Sequence, residues 1–132
     1  MLFKKTGILA SLAISATLLA APAASYANEL IIVNNTGLVS SSMINNFICS
    51  GYIPDGTTPP DGREHVIGAD RVAGMCAATP DSCTAVVYTG AYCDGEKVAQ
   101  IVLSTTRGIV SAQQLGRFAL NAPLYGNKVI LG

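Results

Sequence analysis

The apolar positions of this chain fall into short runs that have the length and composition of β-strands. Leu30–Val33 and Lys128–Leu131 are rich in leucine and β-branched residues, and each lies beside asparagine and glycine, which form turns. Residues 38–53 have a mixed pattern that predicts one or two more strands, with a helical turn over Met43–Phe47 as the alternative. Short apolar runs of this kind are typical of sheets that are covered on both faces.

Two longer runs predict a β-hairpin. Residues 84–92 and 97–103 are mostly β-branched, aromatic or apolar, and Asp94-Gly95 lies between them. Because Asp-Gly is a preferred two-residue hairpin turn, we expect a tight connection that places Tyr88 opposite Ile101.

Few segments have a helical pattern. Ser111 is a candidate N-cap for a short helix that runs to Leu115 and ends before Gly116. Asp70–Ala78 predicts one or two helical turns. The balance favours a mainly β fold: a small disulfide-stabilised β-sandwich or barrel-like domain with short helical insertions.

Residues 1–27 have the features of a secretory signal peptide, which we expect to form a helix outside the fold. Two lysines precede an apolar stretch over Ile8–Ala21, and Ser25-Tyr26-Ala27 has the small residues of a cleavage site. The stretch is short for a transmembrane span and lacks a basic flank. We therefore expect a single β-rich domain over residues 28–132, exported to the periplasm or out of a bacterial cell, with no stable membrane anchor after cleavage.

The charge balance argues against several kinds of partner. Without Lys4 and Lys5, six basic and eight acidic residues remain, which gives a net charge of −2 with His65 neutral. A weakly acidic surface without a basic stripe argues against nucleic acid, because phosphate contacts supply most of that affinity. The same balance argues against attraction to an anionic membrane surface. The sequence contains no metal-binding or phosphate-binding motif, so we expect no metal and no cofactor.

The cysteines predict two disulfide bonds. They are Cys49, Cys76, Cys83 and Cys93. An even number in a small exported chain favours disulfides over a zinc site, which needs closely spaced ligand pairs. If residues 84–92 are extended at ~3.3 Å per residue, Cys83 and Cys93 lie roughly 30 Å apart, too far to be bonded. The turn sequence Thr79-Pro80-Asp81-Ser82 favours Cys76–Cys83 with Cys49–Cys93, and Cys49–Cys83 with Cys76–Cys93 stays open.

A long loop over residues 52–68 contains most of the residues with useful chemistry. Pro54-Asp55-Gly56 and Pro60-Asp61-Gly62 repeat one turn signature, and His65, the one histidine of the chain, follows them. Tyr88 and Tyr92 share a face of the predicted strand unless Gly90 forms a bulge. The candidate binding residues are Tyr52, Asp55, Asp61, Arg63, His65, Tyr88 and Tyr92, and no catalytic residue is assigned.

These features predict a non-catalytic binding or interaction protein whose partner is a protein or a carbohydrate, since amphipathic tyrosine rings suit both. One alternative is a small secreted hydrolase that uses His65 or a pair of carboxylates as its acid–base group. Another is an inhibitor-like module that presents the loop over residues 52–68. A flat tyrosine patch would favour the first hypothesis, a polar pocket around His65 the second, and an exposed loop held by the disulfides the third.

Overall fold

Residues 29–132, the part of the chain that the computed structural model describes, form two β-sheets and one short α-helix. The elements are β1 (Leu30–Asn34), β2 (Ser40–Ile44), β3 (Ile48–Cys49), a 3-10 helix (Ser50–Tyr52), β4 (Glu64–Ile67), α1 (Ala69–Met75), β5 (Cys83–Thr89), β6 (Lys97–Ser104), β7 (Gly108–Gln114), β8 (Leu120–Asn121) and β9 (Lys128–Leu131). The predicted signal peptide over residues 1–27 lies outside the described residues. In residues 29–132, no helix is long and apolar enough to cross a membrane.

The strands form one sheet of four and one of five. The four-stranded sheet has the order β4-β1-β9-β8, and the five-stranded sheet has the order β3-β2-β5-β6-β7. The two terminal strands predicted from the sequence are neighbours: β1 and β9 pair in parallel, with Ile32 opposite Val129. The other strand pairs are antiparallel.

The hydrophobic core lies between the two sheets. Val98, Ile109 and Leu131 have no exposed surface, and α1 adds the buried Val72. Burying one such side chain stabilises the fold by roughly 1.5–3 kcal/mol. The two packed sheets, the short helices and the bonded cysteines confirm the predicted fold class, with a sandwich-like arrangement.

Two disulfide bonds link different elements of the fold. Cys49–Cys93 joins β3 to the loop after β5 with a Cα–Cα distance of 6.1 Å, and Cys76–Cys83 joins the end of α1 to the start of β5 at 5.3 Å. This is the pairing that the sequence favoured, and residues 29–132 contain no free cysteine.

The predicted helix from Ser111 to Leu115 is wrong, because residues 108–114 form β7. Ser111 pairs with Val102 and Ile109 with Leu103, so Val110 is the extra residue of a bulge. The bulge brings Ile109 and Ala112, three positions apart, to the buried side of the strand. Ser111, the predicted N-cap, therefore lies within a bulged strand, and Gly116 follows the end of that strand.

The predicted tight Asp94-Gly95 turn is also wrong. Tyr88 pairs with Lys97 instead of Ile101, and a bulge shifts the register between Val87 and Tyr88. The strand ends at Thr89, and the chain then turns at Gly90, which has a φ of +96°. The longer connection over residues 90–96 contains Cys93, which is bonded to Cys49.

The region before the predicted loop agrees with the strand alternative. β2 and β3 form a hairpin in which Asn45 and Asn46 have φ values of 50° and 56°, so no helical turn forms over Met43–Phe47. Asparagine tolerates this left-handed conformation better than most residues. The helical turns predicted within Asp70–Ala78 are confirmed, since α1 spans Ala69–Met75.

Candidate functional site

The predicted loop over residues 52–68 is shorter than expected, because its last part is a strand. β4 pairs with β1 along the edge of the four-stranded sheet, and His65 lies opposite Ile32. His65 and Ile67 are half-buried, whereas their neighbours Glu64 and Val66 are exposed. His65 is therefore a residue on the inner face of an edge strand and not a loop residue.

The first Pro-Asp-Gly turn is attached firmly to its surroundings. The Gly56 amide donates to the carbonyl of Ile53 at 3.0 Å, and Asp55 has a φ of 59°. A Cβ atom at Gly56 would lie 1.7 Å from the carbonyl oxygen of Ser50, so only glycine fits there. From α1, the Arg71 guanidinium donates to the carbonyl oxygen of Pro54.

The following residues are held by β2 and by a buried asparagine. Ser40 and Thr58 exchange backbone hydrogen bonds of 3.0 and 2.9 Å. The fully buried Asn34 donates its side-chain amide to the same Thr58 carbonyl at 3.1 Å. The segment over residues 53–59 is thus fixed at both ends and forms a stable rim.

A groove of about 560 Å³ lies between this rim, β4, α1 and β2. Its apolar walls include Leu30, Ile32, Ile44, Met75 and Ala85. Asp55, His65 and Arg71 supply charged or titratable groups, and Ser42, Thr57 and Thr58 are among the hydroxyl residues. Mostly apolar walls with a few polar groups are the usual composition of a small-molecule site, and the volume is in the usual range.

His65 is oriented by a carboxylate of the second Pro-Asp-Gly turn. Its Nε2 lies 2.8 and 3.0 Å from the two carboxylate oxygens of Asp61. The backbone amide of Arg63 donates to the same carboxylate at 3.0 Å. First this amide and then His65 hold the pKa of Asp61 below its ordinary value of 3.8.

The serines near the groove have structural hydrogen bonds. The Ser41 hydroxyl donates to the carbonyl of Gly90 and accepts from the amide of Cys93, both at 2.8 Å. The Ser50 hydroxyl accepts from the amide of Ser42 at 2.9 Å. The hydrogen bonds that His65 makes through its ring are both to Asp61, so the described residues show a histidine–aspartate pair without a serine nucleophile bonded to it.

Two tyrosines form an exposed aromatic pair beside the rim. Tyr52 ends the 3-10 helix and Tyr92 lies in the loop over residues 90–96, and their ring centroids are 5.1 Å apart at an angle of 39°. Their exposed fractions are 73% and 53%. The Cys49–Cys93 bond joins the two segments that carry these tyrosines, so the pair is held on a cross-linked support.

The structure separates the predicted binding residues into two groups. Asp55 and His65 line the groove with Asp61 beside them, whereas Tyr52 and Tyr92 form the tyrosine pair. The side chains of Tyr88 and Arg63 belong neither to the groove lining nor to the tyrosine pair. Tyr88 is half-buried on β5, and Arg63 interacts with Asp61 through its backbone amide. Tyr88 and Tyr92 do not share one strand, because β5 ends at Thr89.

Arg71 and Met75 are groove residues that the sequence did not single out. The one available signal was their spacing of four in a predicted helical segment, which places both on the same side of α1. The described residues contain no group of three or more histidine, cysteine, aspartate or glutamate side chains that would hold a metal ion.

Comparison with known proteins gives a family. A family model described as "T2SS substrate NttC" matches residues 4–123, which is most of the chain. No curated protein and no solved structure matches this chain.

Proposed function

This chain belongs to the NttC family of type II secretion system (T2SS) substrates, and we propose that it acts outside the bacterial cell as a non-catalytic binding protein. Membership of that family marks the protein as exported, and two disulfide bonds agree with an oxidising destination. Release into the medium, in place of residence in the periplasm, is part of the proposal. If this part is right, the protein accumulates in the culture medium of secreting cells, and inactivation of T2SS prevents that accumulation.

The exposed tyrosine pair is the observation that carries the proposal. Tyrosine supplies a large amphipathic contact area, and an exposed ring that is already fixed loses little conformational entropy on binding. Tyr52 and Tyr92 support each other through their ring contact. Neither of these exposed tyrosine rings has a structural role that burial would explain.

A protein partner fits this surface best. Tyrosine and phenylalanine are enriched at the centres of protein–protein interfaces, where charged residues are depleted. The chain has 12% charged residues, so contact area would contribute more to affinity than charge attraction. A carbohydrate partner is the alternative that a tyrosine platform also favours.

Photo-crosslinking from the tyrosine pair tests the proposal. We expect a photoreactive residue at position 52 to capture a protease-sensitive partner in the secreting cells' medium or on cells exposed to it. We expect Tyr92→Ala to reduce that capture about tenfold, since a central interface tyrosine typically contributes 1–2 kcal/mol or more. Tyr125→Ala is the matched control, because Tyr125 is also exposed but lies beside β7, at the opposite edge of the sheet from β3.

The class of the captured partner and the controls decide the outcome. A complex that is removed by glycosidases but not by proteases would establish the carbohydrate alternative. Equal capture by the position-52 photoreactive protein, whether it carries no further change, Tyr92→Ala or Tyr125→Ala, would contradict a role for the tyrosine pair.

A small hydrolase is the second candidate function, favoured by the contact between Asp61 and His65 beside the groove. An aspartate that orients a histidine is a recurring arrangement for general-base catalysis. If any ester, peptide or glycoside substrate is cleaved by the purified protein, the rate must fall strongly in His65→Ala. An unchanged rate in that variant would exclude this mechanism.

A further inference from the structure

The groove continues inward as a smaller apolar cavity between the two sheets. This cavity has a volume of about 50 Å³. Its walls include the core residues Val72, Val87, Ile101, Leu103 and Val129. The groove and the cavity share the wall residues Leu30, Ile32, Ser42, Ile44, Met75 and Ala85.

An apolar cavity of this kind favours a hydrocarbon group over water. A buried water needs two to four polar partners, and the cavity walls are almost entirely apolar. Its volume is only about one to two times the ~30 Å³ that a water molecule occupies in the liquid, so a thin, unbranched chain fits better than a bulky ring. The wider groove outside it has room for the rest of such a molecule.

Arg71 provides a positive charge at the outer end of this path. Residues 29–132 contain three ion pairs, which are His65–Asp61, Arg117–Glu96 and Lys128–Glu64. Arg71 belongs to none of them, and its guanidinium group donates to the uncharged carbonyl of Pro54. A guanidinium group has five N–H donors in a planar fork that matches a carboxylate, so one carbonyl does not use its capacity.

Besides Arg71, the groove is lined by two titratable side chains, His65 and Asp55, and neither of them forms an ion pair with Arg71. His65 is bound to Asp61, which lies outside the groove lining. Asp55 is part of the lining, although it is exposed at the rim and forms no ion pair within the described residues. Asp55 therefore weakens the positive potential at the mouth without neutralising Arg71 directly.

We propose that the groove binds a medium-chain aliphatic carboxylate. The hydrocarbon chain lies against Ile32, Ile44 and Met75 with its end in the inner cavity, and the carboxylate pairs with Arg71. This site goes beyond the proposed function, because it uses none of the tyrosine pair and takes a small molecule in place of a macromolecule. The bound carboxylate would be either a cargo that the exported protein carries or a ligand that regulates it, in addition to the macromolecular partner.

Calorimetry with three ten-carbon probes tests the role of the head group. The oxidised secreted protein is titrated with decanoate, decanol and decylamine below the concentrations at which they aggregate. We expect decanoate to bind at a single site about tenfold more tightly than decanol, and decylamine to bind most weakly. Equal affinity for decanoate and decanol, or no binding of decanoate, would overturn the proposal.

Variants of Arg71 assign the head-group contact. Arg71→Gln keeps a donor for the Pro54 carbonyl and is expected to lower decanoate affinity to the level of decanol, with decanol binding unchanged. Arg71→Lys restores the charge and is expected to recover most of the loss. Arg107→Gln is the matched control, since Arg107 lies in the β6–β7 turn and lines neither space. Asp55→Asn is expected to tighten decanoate binding two- to threefold.

Variants of the walls assign the path of the chain. Ala85→Leu narrows the connection between groove and cavity, so we expect the preferred chain to shorten from decanoate towards hexanoate. Thr57→Trp changes only the rim and is expected to weaken every aliphatic carboxylate at least tenfold. If Ala85→Leu does not fold with both disulfides, the Thr57→Trp measurement alone decides whether the groove is the binding site. Unchanged decanoate binding in Thr57→Trp would place the ligand elsewhere and overturn the proposal. Tyr92→Ala is the control outside the groove and is expected to bind decanoate like the wild type.

Discussion

At the scale of single residues, Asp61 links the second Pro-Asp-Gly turn to the groove. Its carboxylate accepts the Arg63 amide, which closes the turn, and contacts the His65 ring on β4. Both contacts favour the ionised carboxylate, first the Arg63 amide and then His65, and so hold its pKa below the ordinary value of 3.8. An aspartate that the sequence presents as a turn residue therefore also orients the one histidine of the chain.

We expect Asp61→Asn to destabilise the protein in a pH-dependent way. Because the pKa of Asp61 is lower in the folded than in the unfolded chain, the ionised carboxylate stabilises the fold at pH values above 3.8. That contribution is lost as the pH falls through the lowered pKa. Urea unfolding at neutral pH and near pH 2 measures it: the difference between wild type and variant should be largest at neutral pH and shrink at acid pH.

The control for this comparison is Asp81→Asn, which removes one carboxylate from an exposed turn that makes no such contacts. A stability difference for Asp61→Asn that stays constant over the whole pH range would show that the pH-dependent part of the argument is wrong.

At the scale of elements, the two Pro-Asp-Gly repeats have the same sequence and different roles. The first is fastened to α1 by Arg71 and forms the rim of the groove. The second precedes β4, and its Gly62 has a φ of +71° and donates its amide to the carbonyl of Asn34. The turn signature predicts where the chain reverses. The neighbouring elements determine what each reversal supports.

Alanine substitution at two glycines separates steric from intrinsic effects. We expect Gly56→Ala to destabilise the protein by about 2–3 kcal/mol, because the new Cβ would overlap the Ser50 carbonyl. Gly74→Ala, in α1, meets no atom within 4 Å and is expected to stabilise the protein by about 0.5–1 kcal/mol. Chemical denaturation of the two variants measures both. Similar effects of the two substitutions would contradict the close packing of the first turn.

At the scale of the whole molecule, the disulfide bonds connect the fold to the tyrosine pair. Cys49–Cys93 closes the larger separation, 44 residues, and Cys76–Cys83 closes 7 residues within it. The larger bond holds the loop that carries Tyr92 against the strand that precedes Tyr52. The smaller bond holds α1, and with it Arg71, against the start of β5.

Removing each disulfide should therefore have a different functional result. By the chain-entropy model, Cys49→Ser/Cys93→Ser costs about 4 kcal/mol and Cys76→Ser/Cys83→Ser about 2.5 kcal/mol. Denaturant unfolding of the two double variants measures the order. Among molecules that remain folded, we expect the first variant to lose crosslinking at position 52, while the second retains it. Equal losses of crosslinking would show that the larger bond has no special role at the tyrosine pair.

The sequence alone determined the class of the fold, the strands β1, β5, β6 and β9, the position of α1 and the favoured disulfide pairing. These depend on local properties, such as runs of β-branched residues and a proline turn between two cysteines, which act in nearly any context. Export was also predicted from residues 1–27, and the family agrees with it.

Only the tertiary structure decided the register of the β5–β6 pair, the strand at Ser111 and the composition of the groove. Each depends on contacts between distant segments: bulges shift the alternation of side chains, and the loop after Thr89 is bonded to Cys49. Tyr52 meets Tyr92, and Arg71 meets the first Pro-Asp-Gly turn, for the same reason. A local pattern indicates which residues favour a strand or a turn, whereas packing of the whole chain selects which of them come together.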